Sequence, residues 1–217
     1  MPELTIHISD VKKVYGRRVI FEGIRGTLRS TDALAITGRN GSGKSTLAKI
    51  LAGLLTPNAG SITYERQSQR IETRDFHRHL GFVAPYLQLY DEFTGYENLD
   101  LFARLRALRL PAEMCDRLLD LVGLASSRNE LVRNFSSGMK QRLKYAFALL
   151  NQPPLLILDE PTANLDSEGV ALARGLMRDQ CKDGILVVAT NDRNDQNLCN
   201  RLINLDEHPN IMTEIGR

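Results

Sequence analysis

The stretch "ALAITGRNGSGKSTLAKILAGLL", residues 33–55, decides the fold. Ala33 to Thr37 reads as a short buried strand, residues 38–45 as a glycine-rich loop, and Lys44 to Gly53 as an amphipathic helix. This is G-x-x-x-x-G-K-[ST] in the strand–loop–helix setting that gives the pattern its meaning. Gly38, Gly41 and Gly43 let the backbone curl. Successive N–H groups from Asn40 through Ser42, Lys44, Ser45 and Thr46 then converge on one anion, and the helix N-terminus adds its partial positive charge. Lys44 is suited to bridge terminal phosphates, and the Ser45 hydroxyl to ligate Mg²⁺. A nucleoside triphosphate is the expected ligand, although this loop serves many unrelated reactions.

The chain around this loop has 217 residues, enough for a sizeable core in one domain. Its 28 Lys+Arg against 26 Asp+Glu give no reason to expect nucleic acid or acidic lipid as a partner. Cys115, Cys181 and Cys199 are odd in number and lack a C-x-x-C spacing, which argues against a disulfide framework or a zinc site and for reduced thiols in a cytosolic protein. The start, MPELTIHISD, lacks the basic and apolar regions of a secretory signal. No apolar run approaches the roughly 20 residues that span a bilayer, so any membrane role is expected to come through another chain.

Further strands are expected at Leu4 to Ile8, Ile24 to Leu28, Ser61 to Tyr64, Gly81 to Ala84, Leu155 to Leu158 and Ile185 to Ala189. The continuous runs LLIL and ILVVA suit central strands covered on both faces. Helices are clearest at Glu97 to Arg109, Ala112 to Val122 and Met139 to Leu150, with Pro111 at a helix start and Gly123 at a stop. The expected organisation is therefore one α/β domain over 1–217, with a core from 1–85 and 151–217 interrupted by a helical lobe at 86–150. Arg104, Arg106, Arg109 and Arg117 read as a solvated helix face rather than a binding patch.

"PPLLILDEPTANLD", 153–166, supplies an apolar strand ending in Asp159 and Glu160. A carboxylate at that tip can hold a magnesium shell, and its neighbour can polarise water for in-line attack on a γ-phosphate.

With these motifs the sequence resembles the ATP-binding cassette (ABC) ATPases over nearly its whole length. "LLILDEP" matches the strand with the family's catalytic glutamate, and "NLD", 164–166, sits where the family has its D-loop. "FSSGMKQRLKYAFALL", from Phe135, is similar to the signature stretch, usually L-S-G-G-Q followed by a basic helix. "GSITY" and "GFVAPYLQLYDEFTGYENL" match in order and spacing, and Tyr15, 23 residues before Gly38, fits the aromatic that stacks on adenine. The resemblance implies a P-loop NTPase fold with a mixed central sheet flanked by helices, an antiparallel N-terminal β subdomain and the inserted helical lobe. It also implies ATP and Mg²⁺ as ligands. Ser136, Ser137 and Gly138 would donate to a γ-phosphate held by a second subunit, paired head to tail as a homodimer or heterodimer.

Three motifs depart from the family pattern. "GILVVATND", 184–192, places Asn191 where the family has a histidine that touches the γ-phosphate, and His7, His77, His79 and His208 cannot be aligned there. Asn191 is expected to face that phosphate as an amide that donates a hydrogen bond but accepts no proton. Pro85 stands where the family has a magnesium-ligating glutamine; Gln88 substitutes only if the loop shifts. Ser137 replaces a glycine of the signature and Met139 its glutamine. With two hydrolytic helpers altered, slow hydrolysis is expected.

The favoured reading is the ATPase subunit of a transporter, similar to small export-type subunits such as haem-exporter or lipoprotein-release ATPases. It would dock near Tyr86 to Tyr96 on a separate integral membrane subunit, at the inner face of the membrane. The alternatives are a clamp that dimerises with little turnover, or one half of an asymmetric heterodimer.

Overall fold

In the computed structural model, which describes residues 3–108, 111–207 and 213–214, strand β1 (Leu4–Tyr15) is much longer than its apolar alternation predicts. Leu4, Ile6 and Ile8 point into the core, the ladder shifts register at Ser9 and Asp10, and Val11 and Lys13 resume the inward face. A bulge of this kind inserts residues out of phase, which breaks the period in sequence without ending the strand. β1 pairs antiparallel with β2 (Arg18–Arg29) on one side and, beyond β3 (Ala33–Thr37) and α1 (Lys44–Leu51), with β4 (Ala59–Arg66) on the other. The short β5 (Gln69–Ile71) completes a four-stranded antiparallel sheet in the order β2-β1-β4-β5.

The second sheet holds the site. β6 (Leu80–Val83) is followed by α2 (Gly95–Leu105), α3 (Ala112–Leu121) and α4 (Ser137–Leu149), with no named strand between them. Then come β7 (Leu155–Asp159), α5 (Ser167–Asp183), β8 (Ile185–Ala189), the single turn α6 (Arg193–Gln196), β9 (Arg201–Asn204) and β10 (Thr213–Glu214). The sheet order is β10-β9-β3-β8-β7-β6, parallel from β9 to β6 with β10 antiparallel at the edge, hence mixed.

Every residue of β3, β7 and β8 is buried, and alternate residues enter two different cores. Ala35, Leu156, Leu158, Leu186 and Val188 pack with Leu99, Leu119 and Leu143 of the helices. Leu34, Ile36, Leu155, Ile157 and Val187 pack on the other face with Leu47 and Leu51 of α1 and with Ile6 and Phe21 of the antiparallel sheet. Burial on both faces is why these strands read as unbroken apolar runs. In register, Ile36 and Asp159 both face Ala189, and Val83 faces Leu158. The carboxyl ends of four parallel strands therefore lie along one edge, the place where open α/β sheets bind ligands.

The arginine scatter is only in part a solvated face. Arg104 pairs with Asp100 at 2.8 Å and Arg117 with Glu113 at 3.9 Å along their helices. Arg106 turns inward, half-buried, and donates to the Leu80 carbonyl at 3.4 Å. Arg109 and His208 lie outside the described residues. Cys115 and Cys199 are buried and Cys181 half-buried, all three as free thiols.

Candidate nucleotide site

Gly38 (φ 134°), Gly41 (φ 79°) and Gly43 (φ 108°) all adopt backbone conformations that a side chain opposes. Gly43 is the tightest: a Cβ there would lie 2.4 Å from Ile20 Cγ2 on β2. It caps α1 with no side-chain hydrogen bond, so the amides of the first turn stay directed at the loop's hollow. Gly43→Ala is expected to cost about 1–3 kcal/mol of folding stability from backbone strain alone. Urea unfolding measures that loss; an unchanged midpoint would contradict the strained geometry.

Lys44 is buried, and its Nζ donates to the carbonyls of Gly38 (2.8 Å) and Arg39 (3.4 Å). Asn191, just past β8, reaches the same loop, 3.2 Å from the Asn40 side chain. With its amide oriented to satisfy both ends, Asn191 Nδ2 donates to Gly38 O at 2.7 Å and its Oδ1 accepts from Lys44 Nζ at 3.2 Å. The residue standing in the histidine position is thus tied directly to the loop lysine.

Ser45 Oγ donates to Asp159 Oδ1 at 3.0 Å, joining the first turn of α1 to the tip of β7. Asp159 is only 2% exposed; burial pushes its carboxyl above the ordinary range, opposed by the Ser45 bond and by Lys49 and Lys44. Glu160 sits in the left-handed region (φ 50°), held there by its N–H on Ala189 O at 2.9 Å. Such a conformation costs free energy and persists only where surrounding structure enforces it. Burial also raises the Glu160 pKa, Lys44 lowers it, and Asp159 and Asp195 raise it further. The hydroxyl–carboxylate pair offers hard oxygen donors, as Mg²⁺ requires. No group of three or more His, Cys, Asp or Glu side chains suited to a metal exists among the described residues.

Lys44, Ser45 and Glu160 open onto a pocket of about 400 Å³. Tyr15 and Ile20 form one wall, and Asn40, Gly41, Lys44, Ser45, Thr46 and Glu160 line the rest. The Tyr15 ring is half exposed, with Lys13 Nζ 5.2 Å from its centroid, and so is open to stacking. Ser136, Ser137 and Gly138 do not line this pocket. Ser136 instead caps α4, accepting from Met139 N at 3.2 Å, which leaves its own O–H proton available. Met139 packs against the helical core, so an apolar side chain suits that position.

Two features of the site were not read from the sequence. Asp195 is fully buried and accepts from Thr162 Oγ1 (2.9 Å) and Arg174 Nε (2.8 Å), tying the loop after Glu160 to α5 and α6. Lys144, a lone cation in the apolar stretch of α4, donates to Pro85 O at 2.9 Å. Gln88 is exposed, with no side-chain hydrogen bond among the described residues.

A glycine loop running into a helix with no side-chain cap, with buried Asp159 and half-buried Glu160 at the neighbouring strand tip, defines a phosphate-loop nucleoside triphosphatase. The chain belongs to the ABC transporter family, whose pattern matches residues 21–163. It is 34% identical to the ABC transporter ATP-binding protein YdbJ of Bacillus subtilis, across 94% of this chain and 67% of that one. It is likewise 34% identical to the Nod factor export ATP-binding protein I of Rhizobium sp. (strain N33), across 99% and 71%. Among solved structures, the ATP-binding cassette MJ0796, in a dimer with ADP and Pi, superposes with a TM-score of 0.83 at 22% identity over 98% and 99% of the two chains.

Proposed function

We propose that this chain is the ATP-hydrolysing subunit of an ABC transporter, acting on a separate membrane-spanning subunit through ATP-dependent head-to-tail pairing. The observation that carries this reading is the split site. The phosphate loop and Glu160 line one pocket, with Asp159 joined to it through Ser45, while Ser136 caps a helix outside that lining. A second copy, or a kindred chain, would bring its Ser136 hydroxyl and α4 amides to the terminal phosphate.

In this reading Tyr15 stacks on adenine and the loop amides with Lys44 bind the phosphates. Ser45 and Asp159 would hold Mg²⁺, which would supply positive charge against that of the phosphates. Glu160 accepts a proton from the attacking water, and Asn191 donates to the γ-phosphate. No helix among the described residues is long and apolar enough to cross a membrane, so the reading requires a partner for transport. Tyr90 and Phe93, exposed in the loop between β6 and α2, lie on the docking surface in this proposal. The transporter subunit would then lie at the cytoplasmic face of the membrane, and the naming of the Rhizobium relative for export supports an export role.

Because Asn191 cannot take a proton, turnover is expected to be slow, about 10²-fold below a site whose γ-phosphate contact is worth about 3 kcal/mol more in the transition state. Asn191→His should therefore accelerate phosphate release. An unchanged rate would contradict this role for Asn191. Negligible phosphate release by the wild type, together with ATP-driven pairing, would favour the clamp reading instead.

A further inference from the structure

The tip of β6 carries an arrangement that the family resemblance does not anticipate. Val83 pairs with Leu158, so Ala84 and Pro85 emerge beside Asp159. Proline offers no polar side chain, yet the Pro85 backbone is firmly held: Lys144 Nζ donates to its carbonyl at 2.9 Å and to that of Ala84 at 3.4 Å. Lys144 is 8% exposed and has no carboxylate within ion-pairing distance among the described residues. Burying an ammonium without an acid is costly, and burial lowers its pKa. Two carbonyl dipoles at one strand tip compensate it, which gives this lysine a reason to be buried.

The next residue, Tyr86, is thereby fixed at the same tip. Its ring lies under Lys49 Nζ, 4.1 Å from the centroid, and against Phe82 at 6.5 Å. Lys49 stands one helical turn beyond Ser45 on α1, and its charge acts on Asp159. Burial and the Asp159 carboxylate together push the Tyr86 phenol up to about 12, so it remains a neutral O–H donor throughout the physiological range. Lys49 and Tyr86 thus meet at the tip of β6, next to the strand whose tip carries Asp159.

We propose that Tyr86 is a positioning residue for the oxygen shell at Asp159, held in place from the signature helix by the grip of Lys144 on the Pro85 carbonyl. The phenol supplies the polar group that Pro85 lacks. Lys144 makes its placement depend on α4, the helix that begins at Ser136. The inference rests on the proposed ATPase reading.

Tyr86→Phe removes only the hydroxyl and keeps the ring under Lys49. The test titrates Mn²⁺ by electron paramagnetic resonance into ADP-saturated protein, and measures ADP affinity separately in EDTA. Tyr86→Phe is expected to weaken Mn²⁺ binding about 5- to 10-fold, a single hydrogen bond's worth, and to lower kcat with the KM for ATP unchanged. ADP affinity in EDTA should not move. Lys144→Met should weaken Mn²⁺ in the same direction. Tyr86→Phe with Mn²⁺ affinity within twofold of wild type overturns the inference while leaving the ATPase reading intact. If only Lys144→Met is without effect, the tether from α4 is overturned. A wild-type chain that binds neither ADP nor Mn²⁺ overturns the ATPase reading, and this inference with it.

Discussion

Glu160→Gln is expected to lower the rate of phosphate release by about 10²- to 10⁴-fold, the range for loss of a positioned general base, while ATP binding is retained. Glu160 lines the pocket beside Lys44 and Ser45, and its left-handed backbone is fixed through Ala189 rather than through its carboxylate. Glutamine keeps the size and the backbone, so the loss should appear in kcat and not in nucleotide affinity. The pH dependence follows from the same geometry. Burial raises the Glu160 pKa, and the base works only when ionised. The wild-type rate should therefore decline, as pH falls, from above the usual carboxylate range. Asn191 adds no further limb because it does not titrate. Asn191→His should introduce a second one near the ordinary histidine pKa of about 6.5. A wild-type kcat that stays flat down to pH 4 would contradict Glu160 as the base.

Lys44→Ala is the second large effect, and it should appear in binding. The buried ammonium is satisfied by Gly38 O and Arg39 O, and it also donates to Asn191 Oδ1, so it orders the loop from within. Losing a hydrogen bond to a charged phosphate costs about 1.5–3 kcal/mol, or roughly 10- to 150-fold in Kd. Isothermal titration with ATP in EDTA isolates this contribution from the metal. Affinity within twofold of wild type would mean that Lys44 serves only the loop and not the ligand.

The loop, the acid pair and the central strands were legible because each is local. Glycines at fixed offsets report positive φ, and the LLIL and ILVVA runs report burial on both faces. What escaped was either locally masked or non-local. The bulge at Ser9 and Asp10 puts the second half of β1 out of phase, hiding seven further residues of strand. β5 is three residues long with two of them polar, and β9 mixes an arginine and an asparagine with two apolar residues. The Thr162–Asp195–Arg174 network and the Lys144–Pro85 contact join residues tens of positions apart, and no spacing rule foretells them. Arg106 shows the converse: its place on a charged helix reads as solvated, but the packing of α2 near Leu80 turns it inward.

The central claim is that ATP is clasped between the phosphate loop of one subunit and the Ser136 turn of another. Sedimentation of the Glu160→Gln protein with saturating MgATP tests it most directly, with ADP and a Glu160→Gln/Ser136→Arg double variant as controls. The account predicts a dimer with ATP and a monomer in both controls. A monomer with ATP, or a dimer indifferent to nucleotide and to Ser136→Arg, would contradict it.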